Sequence, residues 1–260
     1  MTVSAENRWL VIPRPNPNAP VRLFCFPYAG AGSVIYRNWV EVLPEFIELV
    51  AIELPGRGKR LLETPYRELD RLIPDLAAAL KSHLNRPYAI FGHSMGALIG
   101  FELIRYFRRH GLPLPLQLFV SGRNAPTIPD EADPPLHTLP DAEFKAKLKE
   151  LDGTPAEVLE HQELMEILLP ILRADFGMCE NYVYRPEPPL DVPITAFGGL
   201  KDVSVRPEQV EAWKEQTRSK FTARFFPGGH FFLNDFRMEI IEILTRELEI
   251  RVRARTLKQE

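Results

Sequence analysis

The sequence predicts an α/β fold in which a mostly parallel β-sheet carries helices on both faces. Short apolar runs alternate with stretches of helical periodicity over most of the chain, and this alternation is typical of βαβ units. The stretch Tyr88–Leu98 predicts a strand, a sharp turn and a helix in immediate succession. The length of 260 residues, with 45% hydrophobic and 26% charged residues, is enough for a large core in one domain over residues 1–260.

The first half of the chain supplies most of the predicted sheet. Apolar runs of strand length are bounded by Pro, Gly or Asn, and these runs are Trp9–Ile12, Val21–Phe26, Phe46–Leu54, Tyr88–Phe91 and Leu116–Val120. Apolar residues at helical spacing predict helices over Tyr36–Leu43, Asp70–Leu84 and Ala97–Phe107. Because the strands are predicted to be parallel, the loops after their carboxyl ends should share one edge of the sheet.

Two proline-rich joints interrupt this pattern after Arg123 and before residue 194. Between them, at about residues 124–190, we expect a helical insert that covers the loop edge as a lid. Asp141 is the predicted N-cap of one of its helices, and Leu164–Leu172 is apolar on nearly every side, so that it should be covered on several faces. The alternative is a rigid helical layer without a gating role.

The main pattern then resumes and closes the chain. It predicts the strand Ile194–Phe197, the helix Pro207–Thr217, the strand Phe221–Phe226, the helix Met238–Leu248 and a solvated tail from Arg251 to Glu260.

Ser94 lies at the centre of the turn between the predicted strand and helix. The surrounding residues Gly92–Gly96 form a G-x-S-x-G pattern, which is typical of a nucleophile elbow when a strand precedes it and a helix follows it. Such a turn exposes the serine hydroxyl, and side chains at Gly92 and Gly96 would collide with the neighbouring strand and helix. We therefore predict that Ser94 is a catalytic nucleophile rather than a spare serine in an ordinary turn.

A serine nucleophile needs a base and an acid that orients the base. His230 follows a strand and two glycines at the same edge, and it is the last histidine of the chain, as the order Ser, acid, His requires. The candidate acids are Asp175, Asp191 and Asp202. We favour Asp202, because Asp175 lies in the insert and Asp191 precedes its strand.

Two backbone N–H groups should stabilise the oxyanion that forms during acyl transfer. Met95, directly after the nucleophile, is the first. The second should come from the loop after an early strand, where we choose Ala29.

Charge and cysteine content exclude several classes of protein. The formal net charge of −3 does not favour nucleic acid or an anionic membrane as partner, and the chain contains only two cysteines, Cys25 and Cys179. No apolar run approaches the ~20 residues of a membrane span, and Leu10–Ile12 is too short for a signal-peptide core. We therefore expect a cytoplasmic protein.

Five motifs in order resemble the type II thioesterases of the α/β-hydrolase superfamily, which accompany nonribosomal peptide and polyketide synthases. The motifs are Phe26–Gly32, Leu54–Gly58, Gly92–Gly96, Gly198–Asp202 with Trp213 downstream, and Gly229–Leu233. The resemblance extends from about Val21 to Leu248. It implies an α/β-hydrolase fold with a helical lid, a monomer, and the same triad and oxyanion residues.

The function that the resemblance implies is editing of acyl groups on carrier proteins. The enzyme would hydrolyse aberrant or stalled acyl thioesters from the phosphopantetheine arm of an acyl or peptidyl carrier protein, without a metal or organic cofactor. The alternatives are a chain-terminating fatty acyl thioesterase, a general small-ester esterase, and a non-catalytic binding protein on the same fold. Dehalogenase and epoxide hydrolase chemistry is disfavoured, because both need an aspartate at position 94.

The run Arg57–Arg60 lies at the predicted loop edge. A short charge run of this kind is typical of a solvated loop. A second hypothesis is a basic patch that meets an acidic carrier protein.

Overall fold

The computed structural model describes residues 7–130, 134–151, 153 and 156–257. In this part of the chain a seven-stranded sheet has the order β1-β3-β2-β4-β5-β6-β7, with β1 antiparallel to β3 and all other neighbours parallel. The strands are β1 (Leu10–Val11), β2 (Val21–Phe26), β3 (Ile47–Ile52), β4 (Tyr88–His93), β5 (Leu118–Ser121), β6 (Ile194–Gly199) and β7 (Phe221–Phe226).

Helices connect the strands and close the chain. They are α1 (Leu69–Leu80), α2 (Met95–Arg109), α3 (Asp141–Glu150), α4 (Ala156–Glu160), α5 (Gln162–Glu180), α6 (Pro207–Glu211), α7 (Phe232–Asp235) and α8 (Arg237–Thr256). None of these helices is both long enough and apolar enough to cross a membrane.

Both faces of the sheet are covered, as predicted. Successive side chains of a strand point to opposite faces, so Phe24 packs with α1 and α2 on one face, while Leu23 packs with α8 on the other. The interior strands β3 and β4 are buried along their whole length, which explains why their sequences are mostly apolar rather than alternating.

Two predicted helices are shorter and more tightly wound than expected. The prediction of Tyr36–Leu43 corresponds to a 3₁₀ helix over Ser33–Trp39, and that of Pro207–Thr217 divides into α6 and a 3₁₀ helix over Ala212–Gln216. Apolar spacing of three or four residues does not separate the two helix types, because both place such residues on one face.

Two predictions about helix ends are wrong. Pro140, not Asp141, is the N-cap of α3, and the Asp141 carboxylate instead binds Arg173 of α5 at 2.6 Å. The predicted tail is helical as far as Thr256, because Val252 packs against the core and Arg253 pairs with Glu249 one turn earlier. Residues 258–260 of that prediction lie outside the described residues.

The insert between β5 and β6 contains α3, α4 and α5. Its apolar side chains form a separate small cluster around Phe144, Met165 and Leu172. The last turn of α5 is different, since Met178 and Cys179 pack into the main core. Pro170 lies within α5 without ending it.

Candidate active site

Ser94 occupies a strained turn at the carboxyl end of β4. Its φ of 52° is positive, and it is the only non-glycine residue with a positive φ in the described part of the chain. The Ser94 N–H donates to the Ser121 carbonyl of the neighbouring strand at 2.7 Å, which fixes the turn to the sheet. A non-glycine residue in this region is strained, and such strain is common at functional sites.

The two glycines of the turn are required by close packing. A Cβ atom at Gly92 would lie 2.1 Å from the Gly96 carbonyl oxygen, and one at Gly96 would lie 2.2 Å from the Phe26 carbonyl oxygen. The expected collisions with the helix and the neighbouring strand are confirmed. Helix α2 therefore approaches β2 closely enough for its first turn to lie beside the loop that follows Phe26.

His230 and Asp202 are brought together from two loops that lie side by side. The Leu200 N–H donates to the Phe226 carbonyl at 2.8 Å and the Lys201 N–H donates to the Gly228 carbonyl at 2.9 Å. A side chain at Gly199 would prevent this approach, because its Cβ would lie 2.4 Å from the Gly229 carbonyl oxygen.

In this arrangement the Asp202 carboxylate orients the His230 ring. His230 Nδ1 lies 2.7 Å from Asp202 Oδ2, and the other carboxylate oxygen accepts the N–H groups of Ser204 at 2.8 Å and Val205 at 3.1 Å. The Asp202 carboxylate is buried and fully engaged, which leaves His230 Nε2 for a reacting group.

The other two candidate acids lie elsewhere. Asp191 is exposed and pairs with Arg218 at 3.0 Å. Asp175 is buried, but its partner is Arg57 rather than a histidine.

Ala29 lies in the loop after β2 and lines the same cavity as Ser94 and His230. The neighbouring N–H groups of this loop are occupied, since Gly30 donates to Asp175 and Ala31 donates to the Tyr28 carbonyl. Among the described residues, the Ala29 N–H has no acceptor. Met95 is the first residue of α2, where helix N–H groups have no intrahelical acceptor. Both residues predicted as oxyanion donors therefore lie at the site with available N–H groups.

His93 lies beneath the site and is fully buried. Its Nδ1 lies 2.9 Å from Ser121 Oγ, and its ring is 5.2 Å from that of His230 between ring centroids. Burial, with a smaller contribution from His230, holds the pKa of His93 well below its ordinary value. His93 is therefore a neutral packing residue beneath the site.

A cavity of about 330 Å³ opens at Ser94. Its walls come from the loops at the carboxyl edge of the sheet and from the insert, which contributes the apolar side chains Leu136, Leu148, Leu151, Leu172 and Phe176. On its polar side Arg123 pairs with Asp130 at 3.0 Å. Within the described residues, no group of three or more His, Cys, Asp or Glu side chains is placed to hold a metal ion.

Comparison with known proteins agrees with this geometry. The sequence profile of the thioesterase domain family matches residues 21–248. The chain belongs to the thioesterase family.

Individual relatives point in the same direction. The gramicidin S biosynthesis protein GrsT of Aneurinibacillus migulanus is 44% identical to this thioesterase, over 95% of this chain and 96% of GrsT. The structure of RedJ, a thioesterase from the prodiginine pathway of Streptomyces coelicolor, superimposes with a TM-score of 0.83 at 43% identity, over 88% of this chain and 91% of RedJ. The structure of BorB, a type II thioesterase from the borrelidin biosynthetic cluster, gives a TM-score of 0.85 at 37% identity, over 93% and 98% of the two chains. The resemblance to type II thioesterases and the α/β-hydrolase fold that it implied are both confirmed.

The run Arg57–Arg60 of this thioesterase is neither the solvated loop nor the basic patch that its sequence suggests. Arg57 and Arg60 are each only 6% exposed. Arg57 binds Asp175, while Arg60 stacks on the Trp9 ring at 3.9 Å and pairs with Glu63 at 2.6 Å. Lys59 is exposed, and a single exposed cation does not make a basic patch. The hypothesis that this run forms a patch for a carrier protein is therefore wrong.

The Arg57–Asp175 pair is the feature of the site that sequence reasoning missed. In the sequence, Asp175 is a candidate triad acid and Arg57 belongs to a charge run, and neither pattern indicates that the two residues pair. The sequence contains one signal for this pair, which is the carboxylate of Asp175 among the apolar residues of α5. A carboxylate at a buried helical position needs a cationic partner.

Proposed function

We propose that this thioesterase hydrolyses acyl groups held as thioesters on the phosphopantetheine arm of acyl or peptidyl carrier proteins, and so removes aberrant or stalled acyl groups in nonribosomal peptide or polyketide biosynthesis. The observation that carries the proposal is the Asp202–His230 pair, placed with Ser94 around one cavity that the insert partly encloses. GrsT, RedJ and BorB support the pathway context by their own roles in gramicidin S, prodiginine and borrelidin biosynthesis.

The first half of the reaction transfers the acyl group to the enzyme. Ser94 Oγ attacks the thioester carbonyl carbon while His230 Nε2 accepts the hydroxyl proton. The carbonyl oxygen becomes an oxyanion, which the N–H groups of Ala29 and Met95 stabilise. When the tetrahedral intermediate collapses, the carbon–sulfur bond breaks and His230 returns its proton to the departing pantetheine sulfur.

The second half releases the acid. Water attacks the acyl-Ser94 carbonyl and gives a proton to His230 Nε2, and the second tetrahedral intermediate forms in the same oxyanion site. Collapse breaks the bond to Ser94 Oγ, which takes the proton back from His230. Throughout, the Asp202 carboxylate holds the imidazole in the required tautomer and stabilises its protonated form.

Other parts of the proposal concern the setting of the enzyme. We propose that residues 124–190 act as a lid within a single domain, that the enzyme works as a monomer with no nucleic-acid or membrane partner, and that it is cytoplasmic. The position of the insert over the cavity supports the first of these. The two cysteines, both buried free thiols, are compatible with a reducing compartment.

The test uses a carrier protein loaded with acetyl-phosphopantetheine, with intact-protein mass spectrometry to follow loss of the acetyl group. We expect the wild type and Ser219→Ala to unload the carrier, because Ser219 is exposed and lies just before the amino end of β7, whereas His230 follows the carboxyl end of that strand. Ser94→Ala should unload it at a rate close to background. Unloading by Ser94→Ala would contradict the serine mechanism. If the wild type cleaves a simple ester but leaves the carrier loaded, the general esterase alternative replaces the carrier assignment; a preference for long acyl chains would favour the chain-terminating alternative.

A further inference from the structure

A buried ion pair joins the insert to the loop edge of the sheet. The Asp175 carboxylate on α5 accepts from Arg57 Nη1 at 2.8 Å and from Arg57 Nη2 at 2.9 Å. Asp175 is 1% exposed and Arg57 is 6% exposed. Two parallel hydrogen bonds between a guanidinium and a carboxylate fix the relative orientation and the separation of the two groups. Separating them would leave each charge buried and unpaired, which is strongly destabilising. Helix α5 is therefore held to the loop after β3 in one geometry.

The same two side chains also hold the loop that carries Ala29. The Gly30 N–H donates to Asp175 Oδ2 at 2.7 Å, and Arg57 Nη1 donates to the Ala31 carbonyl at 3.1 Å. The loop is also pressed against α5, because a Cβ atom at Gly30 would lie 2.4 Å from a methyl carbon of Leu172. The peptide groups that follow Ala29 thus have fixed positions.

These contacts determine which N–H group can face the reacting carbonyl. The Gly30 N–H is taken by Asp175 and cannot serve an oxyanion. With the next peptide held in place, the Ala29 N–H has a restricted direction on the cavity side. Donors that are oriented before the reaction stabilise a developing oxyanion much more than donors that must be reoriented.

We propose that Asp175 is a positioning residue for hydrolysis, which acts through the Gly30 N–H and Arg57 to aim the Ala29 N–H at the oxyanion. This inference rests on the proposed role of Ala29 in the serine mechanism. It follows that a movement that withdraws α5 from the sheet edge also releases the oxyanion loop.

The experiment compares Asp175→Ala with the wild type in the full-length protein, with the acetyl thioester of N-acetylcysteamine as substrate. We expect kcat to fall about 10- to 100-fold, which is less than the ~10²–10³ caused by deletion of an oxyanion donor, while KM changes less than about 3-fold. A trifluoromethyl ketone, which adds to Ser94 as a tetrahedral oxyanion, should lose affinity by the same factor as kcat. Asp141→Ala is the matched control, because it removes the more exposed ion pair between Asp141 of α3 and Arg173 of α5 and should leave kcat and ketone affinity unchanged.

A second variant covers the case in which Asp175→Ala does not fold, since it leaves Arg57 buried and unpaired. The double variant Arg57→Met/Asp175→Leu removes both charges together and fills a similar volume with apolar side chains. Thermal unfolding establishes that it is folded. We expect the same loss of kcat and ketone affinity in the double variant. Wild-type kcat in the folded double variant, or a loss confined to KM with unchanged ketone affinity, would overturn the proposal.

The choice of a small thioester as substrate makes a failure of this proposal distinguishable from a failure of the proposed function. The small thioester needs no carrier protein, so a failure of the carrier assignment leaves the comparison of Asp175 variants intact. Conversely, hydrolysis by Ser94→Ala would refute the serine mechanism whatever the Asp175 variants do.

Discussion

At the scale of single residues, the site depends on side chains whose polar atoms are already fully engaged. Asp202 uses one carboxylate oxygen for His230 and the other for two backbone N–H groups. Because these bonds are made within the protein before substrate arrives, the imidazole is oriented in advance. Asp191, which has the same chemistry and also lay between Ser94 and His230 in sequence, is exposed and bound to an arginine.

This contrast gives the first prediction. Asp202→Asn should lower kcat by up to about 10⁴-fold, because an amide favours the wrong imidazole tautomer and cannot stabilise the protonated ring. Steady-state hydrolysis of the acetyl thioester of N-acetylcysteamine measures the effect. Asp191→Asn is the matched control and should keep wild-type kcat. Equal kcat values for the two variants would show that Asp202 is not the acid.

At the scale of elements, the insert helices decide the shape of the acyl cavity. Phe176 of α5 lines the cavity and packs edge-on against Phe144 of α3, with 5.6 Å between ring centroids. Cys179, one turn further along, is also in the wall, and burial raises the pKa of its thiol to about 12. It is therefore an uncharged, unreactive part of the wall at neutral pH.

The second prediction concerns acyl length. Phe176→Ala enlarges the cavity, so the ratio of kcat/KM for hexanoyl over acetyl thioesters should rise at least about 10-fold, since even one further methylene accommodated in an apolar pocket contributes roughly 1–3 kcal/mol. The measurement is the rate with a series of acyl thioesters of N-acetylcysteamine. Ile167→Ala on the same helix removes a 48% exposed side chain away from the cavity and should leave the ratio unchanged. An unaltered ratio in Phe176→Ala would mean that the acyl chain lies elsewhere.

At the scale of the whole molecule, the free energy of unfolding is linked to protonation of the buried His93. Burial, with a smaller effect of His230, lowers the pKa of His93 well below its ordinary value, whereas in the unfolded chain a histidine titrates near ~6.5. Below pH ~6.5 the unfolded chain therefore binds a proton that the folded chain does not. The contribution of the neutral His93 to the free energy of unfolding is therefore fully present above that pH. It is lost as the pH is lowered, with a slope of up to about 1.4 kcal/mol per pH unit.

The third prediction is that His93→Gln flattens this slope. Urea unfolding gives the free energy of unfolding at each pH. The measurements run from about pH 5 to about pH 8, which is the range in which histidine titrates. Burial also lowers the pKa of the half-buried His83, so a smaller slope of the same sign should persist in the variant. His110→Gln, at an exposed position, should retain the wild-type slope. A His93→Gln slope equal to that of the wild type would contradict the linkage.

The sequence alone determined the order of strands and helices and the choice of nucleophile, base and acid to be tested. The strand Val21–Phe26 was located to the residue, because burial of most of its side chains leaves a nearly continuous apolar signal. The bounds of Phe221–Phe226 also match the prediction, although this strand lies at the edge of the sheet and most of its side chains are only partly buried. Ser94, Asp202 and His230 could be selected because each lies in the turn or loop after a strand of a parallel sheet, and such sheets place the carboxyl ends of their strands at one edge. Local pattern carries both kinds of information.

Tertiary structure alone decided how the insert meets this edge. Arg57 and Asp175 are 118 residues apart in sequence, and neither lies in a sequence pattern that predicts contact with the other. A periodic apolar face reports that a side of a helix is buried, but it does not report against what. The same limit explains why Arg57 and Arg60 looked like solvated charges, since only the folded chain supplies the carboxylates and the Trp9 ring that make their burial favourable.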